Sequence, residues 1–91
     1  MGAKILIPSL LRNLTGDVAE LEVDATDVRS ALATLEDKLP GLKNRLRDEH
    51  GEVRPFVNVL LNDEDIRLMD GESTPLNDGD EVAIVPAIGG G

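Results

Sequence analysis

The chain has 91 residues, with 18 acidic and nine basic side chains, a net charge of −9 and 41% apolar residues. That length suits one domain with a modest core, and the apolar fraction excludes a disordered chain. The negative charge disfavours phosphate backbones and steers the chain toward partners with basic docking surfaces, so no nucleic-acid role is expected.

There is no cysteine and only one histidine, His50. Disulfides, thiolate zinc sites, side-chain persulfides and a self-contained catalytic triad therefore cannot be built from this chain alone. With Phe56 the one aromatic residue, the core must be aliphatic. The N-terminus shows no signal-peptide pattern, and no apolar run approaches a membrane span. Met1-Gly2 opens like a myristoylation site, but Leu6 stands where Ser or Thr would be needed. A cytoplasmic protein without membrane association is expected.

In chain order, Lys4 to Pro8 reads as a first strand ended by the proline, and Asn13 to Gly16 as turn chemistry. Val18 to Asp24 returns as a second strand, closing a hairpin with a broad loop. Thr26 is placed to cap a helix beginning at Asp27. Val28, Ala31, Leu32, Leu35 and Leu39 then form one apolar stripe, with Glu36 and Lys38 facing away. Pro40-Gly41 stops the helix. Leu42 to Arg47 is read as a further short turn, and Arg47 to Arg54 as a charged loop.

Phe56 to Leu61 is the clearest strand. Asn62 to Asp65 turns the chain into a short strand near Ile66 to Leu68. Asp70 to Leu76 is irregular, with Thr74-Pro75 placed to open a helical turn. Asn77 to Asp80 is a tight turn, and Glu81 to Pro86 the last strand. Asp63, Glu64, Asp65 and Asp70 do not follow the spacing of a calcium loop, so a solvated turn is the reading there and no metal is expected. Neither repeats nor an internal linker interrupt the chain. The order strand, strand, helix, strand, short strand, strand predicts an α+β fold of the β-grasp type, as in ubiquitin. A mixed sheet of four to five strands packs on one main helix, with residues 1–86 as one domain and 87–91 as a flexible glycine tail.

Alternation assigns faces. Val57, Val59 and Leu61 should meet the helix, together with Ile5, Ile7, Val82 and Ile84. Leu6, Phe56, Leu60, Ala83 and Val85 then fall on the other face, which one helix cannot cover. An apolar patch there is expected to dock a partner.

The chain closes on Gly89-Gly90-Gly91, a run that composition alone would place there about three times in ten thousand. A terminal glycine run adds nothing to stability, but it makes a thin leash without side chains. The six residues from Pro86 to Gly91 reach about 20 Å when extended, enough to cross an active-site tunnel while the body docks outside. A carboxylate is a poor electrophile until activated. Adenylation with ATP supplies a leaving group, and a sulfur donor can then leave a thiocarboxylate on Gly91. The carrier supplies a tethered reactant, and its partners the catalytic groups.

Three segments carry a resemblance that spans essentially the whole chain: Val57-Asn58-Val59-Leu60-Leu61-Asn62-Asp63-Glu64, Asn77-Asp78-Gly79-Asp80-Glu81-Val82, and Pro86-Ala87-Ile88 before the glycines. On these the chain resembles the ThiS/MoaD family of sulfur carriers, and within it the CysO-type carriers of cysteine biosynthesis. The stretch from Phe56 to Asp65 and the charged loop around Arg47 to Arg54 favour that branch. The resemblance implies activation at Gly91 by an E1-like adenylyltransferase that uses ATP, the carrier itself holding no cofactor. It also implies sulfur transfer through a PLP-dependent cysteine synthase and release of the amino acid by a metalloprotease. Pro86 and Ile88 join the docking residues on the same ground. The family ending is a small residue and two glycines. Gly89 fits the variable position, Gly90-Gly91 the functional pair, and the chain is ready as written. Alternatives are the small subunit of molybdopterin synthase, a modifier joined to lysines through Gly91, and an interaction domain with no chemistry.

Overall fold

The computed structural model describes residues 2–55 and 57–86. Strand β1 (Ala3–Leu6) pairs antiparallel with β2 (Glu20–Val23) and parallel with β5 (Glu81–Pro86). β5 pairs antiparallel on its other side with β3 (Val57–Leu61), and β3 with the two-residue β4 (Glu64–Asp65). The sheet order β2-β1-β5-β3-β4 is mixed and five-stranded. Helix α1 (Val28–Lys38) lies across one face, and the short α2 (Lys43–Leu46) follows it. This is the expected β-grasp arrangement.

The core is what alternation predicted. Ile5, Ile7, Val57, Val59, Leu61, Val82 and Ile84 are buried against Val28, Ala31, Leu32 and Leu35 of α1. Leu39, the last residue of the predicted stripe, is only partly buried because it caps the helix outside the regular turn. Leu42 and Leu46 close the core beneath the helix end.

Several expectations change in detail. β1 and β2 are shorter than predicted, and the broad loop between them holds a 3₁₀ turn, Ser9–Leu14, that buries Leu11. The helix cap is Asp27, not Thr26. The Asp27 carboxylate accepts the Ser30 N–H at 2.8 Å while the Ser30 hydroxyl accepts the Asp27 N–H, a reciprocal box that lone Thr26 cannot form. Ile66–Leu68 is a 3₁₀ turn rather than a strand, because the Asp65 carboxylate captures the Arg67 N–H at 2.9 Å and bends the chain. Thr74-Pro75 does not open a helical turn. The turn is Gly71–Ser73, closed by the Thr74 hydroxyl donating to the Gly71 carbonyl at 2.7 Å. The β3–β4 hairpin turns on Asn62 and Asp63, both with positive φ (50° and 74°), a conformation asparagine and aspartate tolerate better than most residues.

Glu36 does not face away. Arg47 donates to Glu36 at 2.8 Å and to both oxygens of Glu72 at 2.8 and 3.3 Å, and also to the Gly51 carbonyl at 2.9 Å. Only 10–14% of each of these three side chains is exposed. The predicted charged loop is therefore anchored by its first arginine to α1 and to the 71–73 turn. Glu72 is the first cause holding the Arg47 guanidinium even more firmly charged than usual.

Candidate functional site

β5 positions the site. It runs through the middle of the sheet, held on both edges, with Val82 and Ile84 fixed in the core. Its last residue, Pro86, stands opposite Val57 at the end of the β3–β5 ladder. The tail is thus rooted on a central strand clamped by two neighbours, which fixes where it leaves the body. Gly89, Gly90 and Gly91, with Ile88 and Phe56, lie outside the described residues.

On the open face, Leu6, Ala83 and Leu60 fall on one row across three adjacent strands, since Ala83 pairs with Leu6 on one side and Leu60 on the other. All three are half-buried, as is Pro86, and Val85 one step along is 41% exposed. The structure therefore brings four of the predicted docking residues, Leu6, Leu60, Ala83 and Val85, to one face of the three central strands, while Pro86, opposite the inward-facing Val57, falls on the helix side.

The row is bounded by charge that composition could not place. At its β2 end Leu6 faces Glu20, which reaches Lys4 at 3.8 Å. At its β4 end Leu60 faces Asp65. Arg67 donates to Asp65 at 2.8 and 3.1 Å and also to the Asn58 side chain, which alternates with Leu60 on the same face. The Arg67 side chain, then its backbone N–H, holds the Asp65 carboxyl below the usual carboxylate range. Two acids near this rim are thus committed to structure: Asp65 to Arg67, and Asp80 of the 77–80 turn to the Asn77 N–H and the Asn62 amide at 2.8 and 3.1 Å. Those two contacts, the Asn77 N–H first, hold Asp80 below its ordinary range.

Sequence reading missed two features. One is the Asn58–Arg67–Asp65 rim, for which the only signal was an asparagine among the apolar residues of β3. The other is a cavity of about 300 Å³ at the tail root, lined by Leu10, Leu11, Asn13, Leu14, Arg45, Val57 and Pro86. No local pattern marks it, because it joins four segments separated in sequence. No helix of the described residues is long and apolar enough to cross a membrane.

A model of the ThiS family matches residues 5–91. The sulfur carrier protein CysO of Mycobacterium tuberculosis is 36% identical over 93 residues, covering all of both chains. Small archaeal modifier protein 3 of Haloferax volcanii is 46% identical over 68 residues, 75% of this chain and 72% of that one. Among solved structures, a chain of the Amycolatopsis orientalis BexX/CysO complex superposes with a TM-score of 0.88 at 34% identity, covering 99% of this chain and all of that chain.

Proposed function

This chain belongs to the ThiS family, and from that premise we propose that it carries sulfur as a thiocarboxylate on Gly91 for cysteine biosynthesis. An E1-like partner joins the Gly91 carboxylate to AMP and releases pyrophosphate. A sulfur donor attacks the carbonyl carbon, AMP leaves, and the thiocarboxylate passes to a PLP-dependent synthase. A metalloprotease then frees the product. The chain acts as a co-substrate: with one histidine and no cysteine, it relies on its partners for catalytic groups. The observation that carries the pathway is the full-length 36% identity to CysO. The placement of β5 supports the mechanics, since the strand from which the tail continues is held by a neighbour on each edge.

The likeness to a small archaeal modifier over 68 residues favours a second reading, conjugation of Gly91 to lysines on other proteins. Both uses need the same activated carboxyl carbon and differ in whether a sulfur or an amine attacks it. A small subunit of molybdopterin synthase would use the same thiocarboxylate with a different acceptor.

The test is mass spectrometry of the protein from cells with an intact sulfur pathway. A fraction about 16 Da heavier, mapped to Gly91 to separate it from oxidation, is expected. High-mass conjugates that vanish when Gly91 is deleted, without any thiocarboxylate, would favour the modifier instead.

A further inference from the structure

The cavity at the tail root lies beside the open sheet face rather than on it. Its walls are mostly aliphatic: Leu11 and Val57 are buried and Leu14 partly so, while Leu10 is 58% exposed at the rim. Arg45, on α2, is the one charged residue among those lining it. Arg29, Lys38 and Lys43 enter no ion pair among the described residues, but none of them lines this cavity, and the other cations outside it have partners. Lys4 meets Glu20, Arg47 meets Glu36 and Glu72, and Arg67 meets Asp65. Arg12 and Arg54 donate to the carbonyls of Ile7 and Asn44. Arg45 is exposed and enters no ion pair among the described residues, in a chain where acids outnumber bases two to one. An unpaired guanidinium over an aliphatic cleft, in an otherwise acidic molecule, complements a carboxylate flanked by an apolar side chain.

We propose that this cleft is a second docking point, which receives an acidic, apolar-flanked segment at the rim of the adenylating partner's tail entrance. The inference rests on the sulfur-carrier reading, because it takes the tail as entering that partner's ATP site. Pro86, the last described residue before the tail, shares the cleft wall with Arg45, so a partner that takes the tail from its root meets Arg45 there. The apolar row Leu6–Ala83–Leu60 supplies contact area. Arg45, whose charge differs in sign from most of the surface, supplies register and discrimination: a carboxylate at the entrance meets attraction at Arg45 and repulsion at most other places.

The experiment is ATP–pyrophosphate exchange by the adenylating enzyme of the same cell, with the full-length chain as the varied substrate. Arg45→Glu is expected to raise KM about tenfold or more while kcat stays within about twofold. Arg45→Lys should keep most of the affinity. The wild-type KM should rise with added salt, and that of Arg45→Glu should not. Thermal midpoints of all three should agree, because Arg45 is exposed. An unchanged KM for Arg45→Glu overturns the proposal. So does an equal loss for the Lys and Glu variants accompanied by a lowered midpoint, which marks a structural role. If the wild-type chain supports no exchange at all, the sulfur-carrier reading itself fails, an outcome distinct from the first two.

Discussion

Leu60 stands directly across the β3–β5 ladder from Ala83, on the face of the sheet opposite the one that packs on α1. Its neighbours in sequence, Val59 and Leu61, point the other way and are buried at 4% and 5% exposure. Substitution along one strand should therefore separate stability from recognition. Leu60→Arg is expected to cost no more than about 1 kcal/mol of stability, while weakening capture of the adenylating partner about tenfold or more. Leu61→Ala should do the reverse, losing roughly 2–4 kcal/mol by leaving a cavity under α1. Urea unfolding and a binding titration on both variants check this. A collapse of stability in Leu60→Arg would show that the open face is part of the core.

The Arg47 network gives a second prediction. Glu36 and Glu72 share one guanidinium, and both carboxylates are largely shielded from water. Arg47→Met removes the cation and leaves two like charges with no compensation. The expected loss is about 2–4 kcal/mol, at or below the range for breaking a buried pair because some exposure remains. Adding Glu36→Gln and Glu72→Gln to Arg47→Met should recover most of it, since neutral amides carry no desolvated charge. Denaturant midpoints of the single and triple variants decide the matter. Equal stabilities for the two would mean that the ion network contributes only through packing.

What was legible in the sequence follows from how far each signal reaches. The inward residues of β1, β3 and β5 and the stripe on α1 are periodic, and period reports burial directly. The Asp27 box lies within four residues, yet Thr26 reads as equally good until the Ser30 hydroxyl is seen accepting the Asp27 N–H. Arg47 reads as part of a charged loop because its partners sit 11 and 25 residues away. No window of local sequence holds both ends of that contact. The same separation hid the Arg45 cleft. For Gly89 to Gly91 the case is reversed: the sequence speaks plainly and the described residues end at Pro86.

Acid sensitivity should follow from four aspartates. The carboxyls of Asp27, Asp48, Asp65 and Asp80 all lie below the ordinary range. Hydrogen bonds from Ser30, the Glu52 N–H, Arg67 and the Asn77 N–H are the first causes in turn. A carboxyl with a lowered folded-state pKa binds protons more readily when unfolded. Its stabilisation is complete above the unfolded value of about 4 and is lost as pH falls through the lower folded values. Thermal midpoints should therefore hold between pH 7 and about 5, where falling net charge also relieves self-repulsion, and drop below about pH 4. Asp65→Asn with Asp80→Asn should flatten that acid limb while leaving the shape of the curve above pH 5 alone. An identical acid limb in the double variant would place the pH sensitivity elsewhere.

The tail prediction turns on the difference between the leash and the reacting atom. Pro86 is the last residue of the β3–β5 ladder, and five residues follow it to the carboxylate of Gly91. Appending one leucine after Gly91 moves the carboxylate on by about 3.5 Å and surrounds it with a side chain. Since nothing in the core changes, the thermal midpoint should be unaffected. ATP–pyrophosphate exchange should nevertheless fall about a hundredfold or more, because a displaced carboxylate forfeits the near-attack geometry that adenylation needs. Intact mass must confirm that the extra leucine has not been trimmed. Within the run, Gly89→Ala should be tolerated, while Gly90→Ala should lower exchange clearly, because a Cβ there widens a leash that the proposed tunnel takes without side chains. Full activity in the extended chain would sink the idea of a free glycine end threaded into a tunnel, whichever pathway consumes the sulfur.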